Sequence, residues 1–215
     1  MRAPLTSPAR NRIRRGLQTI GLALGLLSGV SAAEAQQQPT GVAPPQGEQF
    51  FLRIPDGWKE VVRTRQQGAD IVAYVPQEQN ATQWTDMLSI QVFQGMTALP
   101  AQSFYERYST SYRKSCETVR IGQMQTGVSN GYPSAFWIMA CGNQAQAGTG
   151  ETSFFRLVQG NKALYVAQRT WRTARFDAQK TSPITGPASD VAIETLKHFG
   201  LCDPSMADRP CPKGQ

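Results

Sequence analysis

The chain has 215 residues, with 22 Lys+Arg, 15 Asp+Glu and a formal net charge of +7; it is 40% hydrophobic and 9% aromatic. That composition excludes a disordered or collagen-like chain and fits one domain of about 150–180 residues plus extras. The single His excludes His-rich metal sites and makes any Ser-His-Asp or Cys-His catalysis depend on His198 alone.

The N-terminus has the three parts of an export signal. Arg2, Arg10, Arg12, Arg14 and Arg15 form a positive region without acids, an uncharged run follows from Leu17 to Val30, and small residues lead to Ala33-Glu34-Ala35. A basic start, a short apolar stretch and an A-x-A site define a secretory signal. The apolar stretch is well short of the ~20 residues a membrane span needs. Cleavage is therefore expected after Ala35, the alternative being an uncleaved anchor. Arg14-Arg15-Gly16-Leu17 is close to a twin-arginine motif, although Ile13 stands where Ser or Thr is usual. Removing residues 1–35 takes away five Arg and Glu34 and leaves 17 Lys+Arg against 14 Asp+Glu, a net of +3. Much of the basicity thus belongs to the signal, which argues against nucleic acid as a partner.

Cys116, Cys141, Cys202 and Cys211 all lie in the exported part. An oxidising compartment favours pairing. Four cysteines allow three connectivities; Cys116–Cys141 and Cys202–Cys211 are the favoured pairs. The second encloses a short polar segment with two prolines, and the first would tie a helix end to a strand. No C-x-x-C and no paired metal-ligand spacing is present, so neither a redox motif nor a metal is expected.

Residues 36–48 hold almost no large apolar side chain and read as a leader. Strands are expected at 50–54, 60–64, 70–75 and 87–93, separated by Pro55-Asp56-Gly57, Gln67-Gly68 and a polar loop. In the fourth, Leu88, Ile90 and Val92 share one face and Ser89 and Gln91 the other. A helix starts near Pro100 and carries Phe104, Tyr105, Tyr108 and Tyr112 as an aromatic stripe. A strand over 118–128 is joined through Asn130-Gly131 to the apolar run 135–141, the signature of a type I′ hairpin. A second hairpin joins 154–159 to 163–171 through Gly160-Asn161. Pro187 and Gly200 bracket a final helix, with Lys197 and His198 in its last turn. The fold class is α+β, an antiparallel sheet packed by helices: a single domain over 49–200 followed by a disulfide-closed tail over 201–215.

Phe50-Phe51-Leu52-Arg53-Ile54-Pro55-Asp56-Gly57-Trp58-Lys59 resembles the opening of PsbP-like domains, an apolar strand followed by Pro-x-Gly-Trp. The resemblance implies an antiparallel sheet sandwiched by helices and an accessory or binding role in an exported compartment or photosynthetic lumen. It implies no site residues, and the cysteines and the tail are not part of its pattern.

The search for chemistry returns little. G-x-S-x-G, H-E-x-x-H and calcium-loop motifs are absent, and Ser111-Tyr112-Arg113-Lys114 matches S-x-x-K only in spacing. His198 reads as a helix C-cap. Asn80-Ala81-Thr82 is a glycosylation sequon. Arg169, Trp171, Arg172 and Arg175 form the richest polar cluster; in an extended strand Arg169, Trp171 and Arg175 share a face that could meet an anionic partner. Tyr105 and Tyr112 could line a groove, or pack on the sheet with their hydroxyls reaching its edge. The expected function is a periplasmic or secreted, non-catalytic binding or envelope accessory protein without cofactor. Its partner would be a protein or an anionic envelope component, contacted through Arg169, Trp171, Arg172, Arg175, Tyr105 or Tyr112. The alternative is an exported hydrolase of an envelope or extracellular polymer, which would need two close carboxylates in a cleft.

Overall fold

A computed structural model describes residues 47–66, 68–180 and 182–213. The predicted export signal and the leader up to residue 46 lie outside the described residues, as does Gln67 of the predicted turn. Strand β1 (Gln49–Phe51) is followed by β2 (Trp58–Gln66), β3 (Ala69–Pro76) and β4 (Asp86–Gln94). Helix α1 (Ala101–Ser115) leads to β5 (Val119–Ile121), β6 (Gln125–Ser129), β7 (Tyr132–Cys141), β8 (Gly150–Gln159) and β9 (Ala163–Thr173). Helix α2 (Pro187–Lys197) and β10 (Gly200–Cys202) complete the order. Eight strands form one antiparallel sheet in the order β2-β3-β4-β9-β8-β7-β5, with β6 pairing β7 beside β5.

Helices cover both faces, because alternate side chains along each strand are apolar on both sides. On one face Leu88, Ile90, Phe154, Val158 and Tyr165 pack against Ala192, Leu196 and Phe199 of the α2 segment. On the other, Phe104 of α1 packs against Trp137, Met139, Phe155, Leu157 and Val166. Trp137 and Phe155 stack with ring centroids 5.0 Å apart. Each large side chain buried this way stabilises the fold by roughly 1.5–3 kcal/mol.

Turn chemistry fixes the registers. Asn130 (φ 49°) and Gly131 (φ 78°) supply the two left-handed positions that a type I′ hairpin needs. The predicted strand 118–128 is two strands. Ile121 pairs with Met139 and Gln125 with Phe136, so one extra residue on this side breaks the strand at Gly122–Met124.

Two departures involve the ends of the domain. The first strand does not join the main sheet: β1 pairs antiparallel with β10 to form a separate ribbon. Gly200 is not the stop of α2. The helix ends at Lys197 with His198 as C-cap, and Gly200 opens β10. A Cβ on Gly200 would lie 2.6 Å from the Phe51 ring, so a larger residue there would force that ring to shift.

Both favoured disulfides are present. Cys116, the C-cap of α1, bridges to Cys141 at the end of β7, and Cys202 bridges to Cys211. Asn130 Nδ2 donates to the carbonyls of Leu201 (2.9 Å) and Pro210 (3.1 Å), so the same turn that closes the hairpin also holds the tail. Among the described residues no helix is long and apolar enough to cross a membrane.

Candidate functional site

The sequence-derived candidates occupy separate places, and most of their polar atoms are engaged inside the fold. Arg169 is 5% exposed. Its Nε and Nη2 donate to the two carboxylate oxygens of Asp86 at 3.1 and 2.7 Å, and Nη1 donates to Thr195 Oγ1 at 2.6 Å. Its guanidinium also lies over the Trp58 and Trp171 rings, at 5.1 and 4.6 Å. The cation–π contact expected of Trp171 is therefore internal, and Arg169 joins β4, β9 and α2 where a surface role was expected. Burial pushes the Asp86 carboxyl up, and the hydrogen bonds from Arg169 oppose that shift.

Arg172 points to the opposite face. It donates to Glu151 Oε1 at 3.2 Å and lies 3.9 Å over the Trp84 ring. The predicted shared face of Arg169, Trp171 and Arg175 stops short, because β9 ends at Thr173. Arg175 lies beyond it in a loop, with Nε donating to the Gly148 carbonyl at 3.0 Å.

The tyrosine stripe packs on the sheet. Tyr105 donates to the Gly122 carbonyl (3.0 Å), Tyr108 to Gln91 Oε1 (2.8 Å) and Tyr112 to Ser153 Oγ (2.8 Å). Gln168 and Thr170 extend this network. The polar face of β4 therefore lies under α1, where its Gln91 matches a tyrosine hydroxyl. Burial raises both Tyr108 and Tyr112, and Tyr112 well above the usual phenol range.

None of these six residues lines a groove of about 480 Å³ that lies between β1 and the outer strands β2–β4. Its floor is Val72, Ile90 and Val92, from alternate positions of β3 and β4 on the α2 side of the sheet; Ile90 and Val92 are buried and Val72 is half-buried. Phe50, 41% exposed, and Tyr165 form an aromatic wall with ring centroids 6.2 Å apart. Glu48 fixes that wall. Its carboxylate accepts from Tyr165 Oη (3.0 Å), the Asn161 N–H (2.5 Å) and the Lys162 N–H (3.2 Å). Burial, with Glu48 adding to it, holds Tyr165 far above the ordinary phenol range.

The rim carries charges of both signs that are already paired. Arg63 makes a two-point contact with Glu60 at 2.8 and 2.6 Å, and Asp70 accepts from Arg65 at 2.5 and 2.9 Å. These hydrogen bonds hold the Glu60 and Asp70 carboxyls below their usual range. An apolar floor inside a neutralised polar rim suits an apolar occupant with polar edges better than a bare anion.

This groove is not legible in the amino-acid sequence. Leu88, Ile90 and Val92 are legible as one apolar face, but not that Phe50 of β1 and Tyr165 of β9 frame a hollow over part of it. A second hollow, of about 410 Å³, lies beside His198 and is lined by Pro55, Val191 and the acids Asp56, Asp190 and Glu194. Glu194 is held below its usual range by Lys197, the wrong direction for a general acid. Among the described residues no group of three or more His, Cys, Asp or Glu is placed to hold a metal ion.

No protein-family model and no curated protein matches the sequence. Three solved structures are similar to it in fold. The Ran-binding protein Mog1p of Saccharomyces cerevisiae has a TM-score of 0.49 at 10% identity, over 75% of this chain and 98% of that one. A cyanobacterial PsbP from Synechocystis has a TM-score of 0.45 at 11% identity, over 77% and 98%. LpqN of Mycobacterium tuberculosis, involved in cell envelope biogenesis, has a TM-score of 0.42 at 14% identity, over 74% and 87%. At such identities these likenesses concern the fold alone. A PsbP structure is among them, the family that the segment Phe50–Lys59 resembles.

Proposed function

We propose that the protein is an exported binding or envelope accessory module without a catalytic role, and that it seats an apolar segment of a partner protein in the groove between β1 and β2–β4. In this reading residues 1–35 are the export signal, 36–48 a leader whose last residue, Glu48, is anchored on Tyr165, and 49–200 the working domain, with the tail 201–215 stapled to it. The observation that carries the proposal is a groove with Val72, Ile90 and Val92 at its base, the exposed Phe50 on its wall and the paired charges of Arg63 and Asp70 on its rim. Such a surface offers apolar area and little net field, which favours a protein segment over an anionic polymer.

The carboxylate chemistry of the hydrolase alternative finds less support. Burial pushes the Asp86 carboxyl up, but Arg169 holds both of its oxygens. The two acids that line the groove are engaged, Glu48 by Tyr165 and Asp70 by Arg65.

Affinity capture from the host envelope tests the proposal. The wild-type chain and an Arg175→Ala variant should retain the same partner, and Val72→Asp should lose it. Phe50→Ser, at an exposed position, serves as the second groove variant. A partner retained equally by Val72→Asp and Phe50→Ser, or lost with Arg175→Ala, would overturn the assignment. N-terminal sequencing of the exported protein should begin at Gln36.

A further inference from the structure

The eight-stranded sheet has two outer edges, and they are treated differently. At one edge, β2 carries Lys59, Glu60, Arg63 and Arg65 and has a register irregularity between Glu60 and Val62. Charges and bulges of this kind keep an edge from pairing with other strands. At the other edge, the β5 part is covered by Gln179, whose Nε2 donates to the Val119 carbonyl. The β6 part, Gln125-Thr126-Gly127-Val128-Ser129, has no charge, no proline and no cover from any described residue. Val128 is 74% exposed.

The register shows which backbone groups of β6 face outward. Ser129 and Tyr132 close the two-residue turn as a hydrogen-bonded pair, and pairs alternate from there. Pro133, which has no N–H, falls opposite Val128 at a non-hydrogen-bonded pair. Thr126 and Val128 therefore turn their N–H and C=O groups away from β7.

We propose that β6 pairs antiparallel with β6 of a second copy, about a two-fold axis at Gly127. That register sets Thr126 against Val128 of the partner subunit in both directions. All four outward groups on each strand then find partners, as two β-branched cross-strand pairs. Gly127 meets its own counterpart at a non-hydrogen-bonded pair, where strands approach most closely. The lack of charge favours a second copy, because identical strands bring no like charges together. Five residues make a small seam beside the ~1,200–2,000 Å² of a stable interface, so the association is weak and concentration-dependent.

A Gly127→Cys variant tests this. The four native cysteines are all in disulfides, so the new thiol is free of competition. Gly127 is absent from the positive-φ residues, and a Cβ there meets only Ser134 Oγ at 3.8 Å. Across the two-fold the Cα atoms would be ~4.5 Å apart, within disulfide reach. Gly127→Cys should form a covalent dimer at least tenfold faster than Thr110→Cys, a control on the outer face of α1. Adding Val128→Pro, which removes an N–H that no strand of the domain uses, should return the rate to the control. Val128→Lys should do the same through charge if the proline variant does not fold. A Gly127→Cys rate equal to that of Thr110→Cys, sedimentation as a monomer up to millimolar protein, or trapping of a different protein only would overturn the proposal.

Discussion

At the scale of single residues, the most consequential group is Arg169. It is buried, it touches Trp58 and Trp171, and among the described residues its charge is balanced by Asp86 alone. Removing one partner of a buried pair leaves an uncompensated charge, at a cost of about 3–5 kcal/mol. Asp86→Asn should therefore lower stability by that amount in urea titration. Thr195→Ala, which removes one acceptor of Arg169, should cost about 1–2 kcal/mol. The buried tyrosines make a pH prediction. Tyr108, Tyr112 and Tyr165 are all raised above an unfolded value near 10. A phenol raised in the folded state contributes stability that is complete below about pH 10 and is lost as pH climbs toward the folded value, because only the unfolded chain ionises in that window. The urea midpoint should be flat through pH 9 and fall above pH 10. Tyr112→Phe should start lower by about 1 kcal/mol and fall less steeply.

At the scale of elements, local chemistry accounts for most of what was legible. The strands β2–β4 and β7–β9 announce themselves by apolar runs between Gly, Pro and Asn turns, and α1 by its four-residue aromatic spacing. The Cys116–Cys141 pairing follows from a helix end meeting a strand end. The elements that escaped depend on distant partners. Gly200-Leu201-Cys202 is too short to read as a strand and becomes one only because β1 lies beside it. The break at Gly122–Met124 reflects one surplus residue against β7, which no local pattern reveals. The arginine cluster was visible from its own sequence, but Asp86, which takes the charge of Arg169, stands 83 residues away. The groove needs β1, and β1 needs β10. This chain of dependence yields a prediction. Replacing Cys202 and Cys211 together with Ser should cost about 2–3 kcal/mol of stability. Amide exchange should then speed up in β10 and β1, while β8 and β9 stay protected. The same variant should bind the partner less well, because one wall of the groove is loosened.

At the scale of the whole molecule, the two proposed contact surfaces lie at opposite edges of one sheet. The groove sits over β2–β4, and the self-pairing strand β6 lies beyond β7. The central strands between them are filled on both faces by apolar side chains. Occupying one surface should therefore leave the other unchanged. Val128→Pro should abolish self-association and retain the partner with wild-type yield in the capture experiment. The central claim is that the partner sits in the groove and not on the arginine-bearing end of β9. Site-specific photo-crosslinking in the host tests it most directly. With benzoylphenylalanine at Phe50, a discrete partner adduct should form and disappear on addition of Val72→Asp; at Arg175 no adduct should form. An adduct at Arg175 with none at Phe50 would contradict the account.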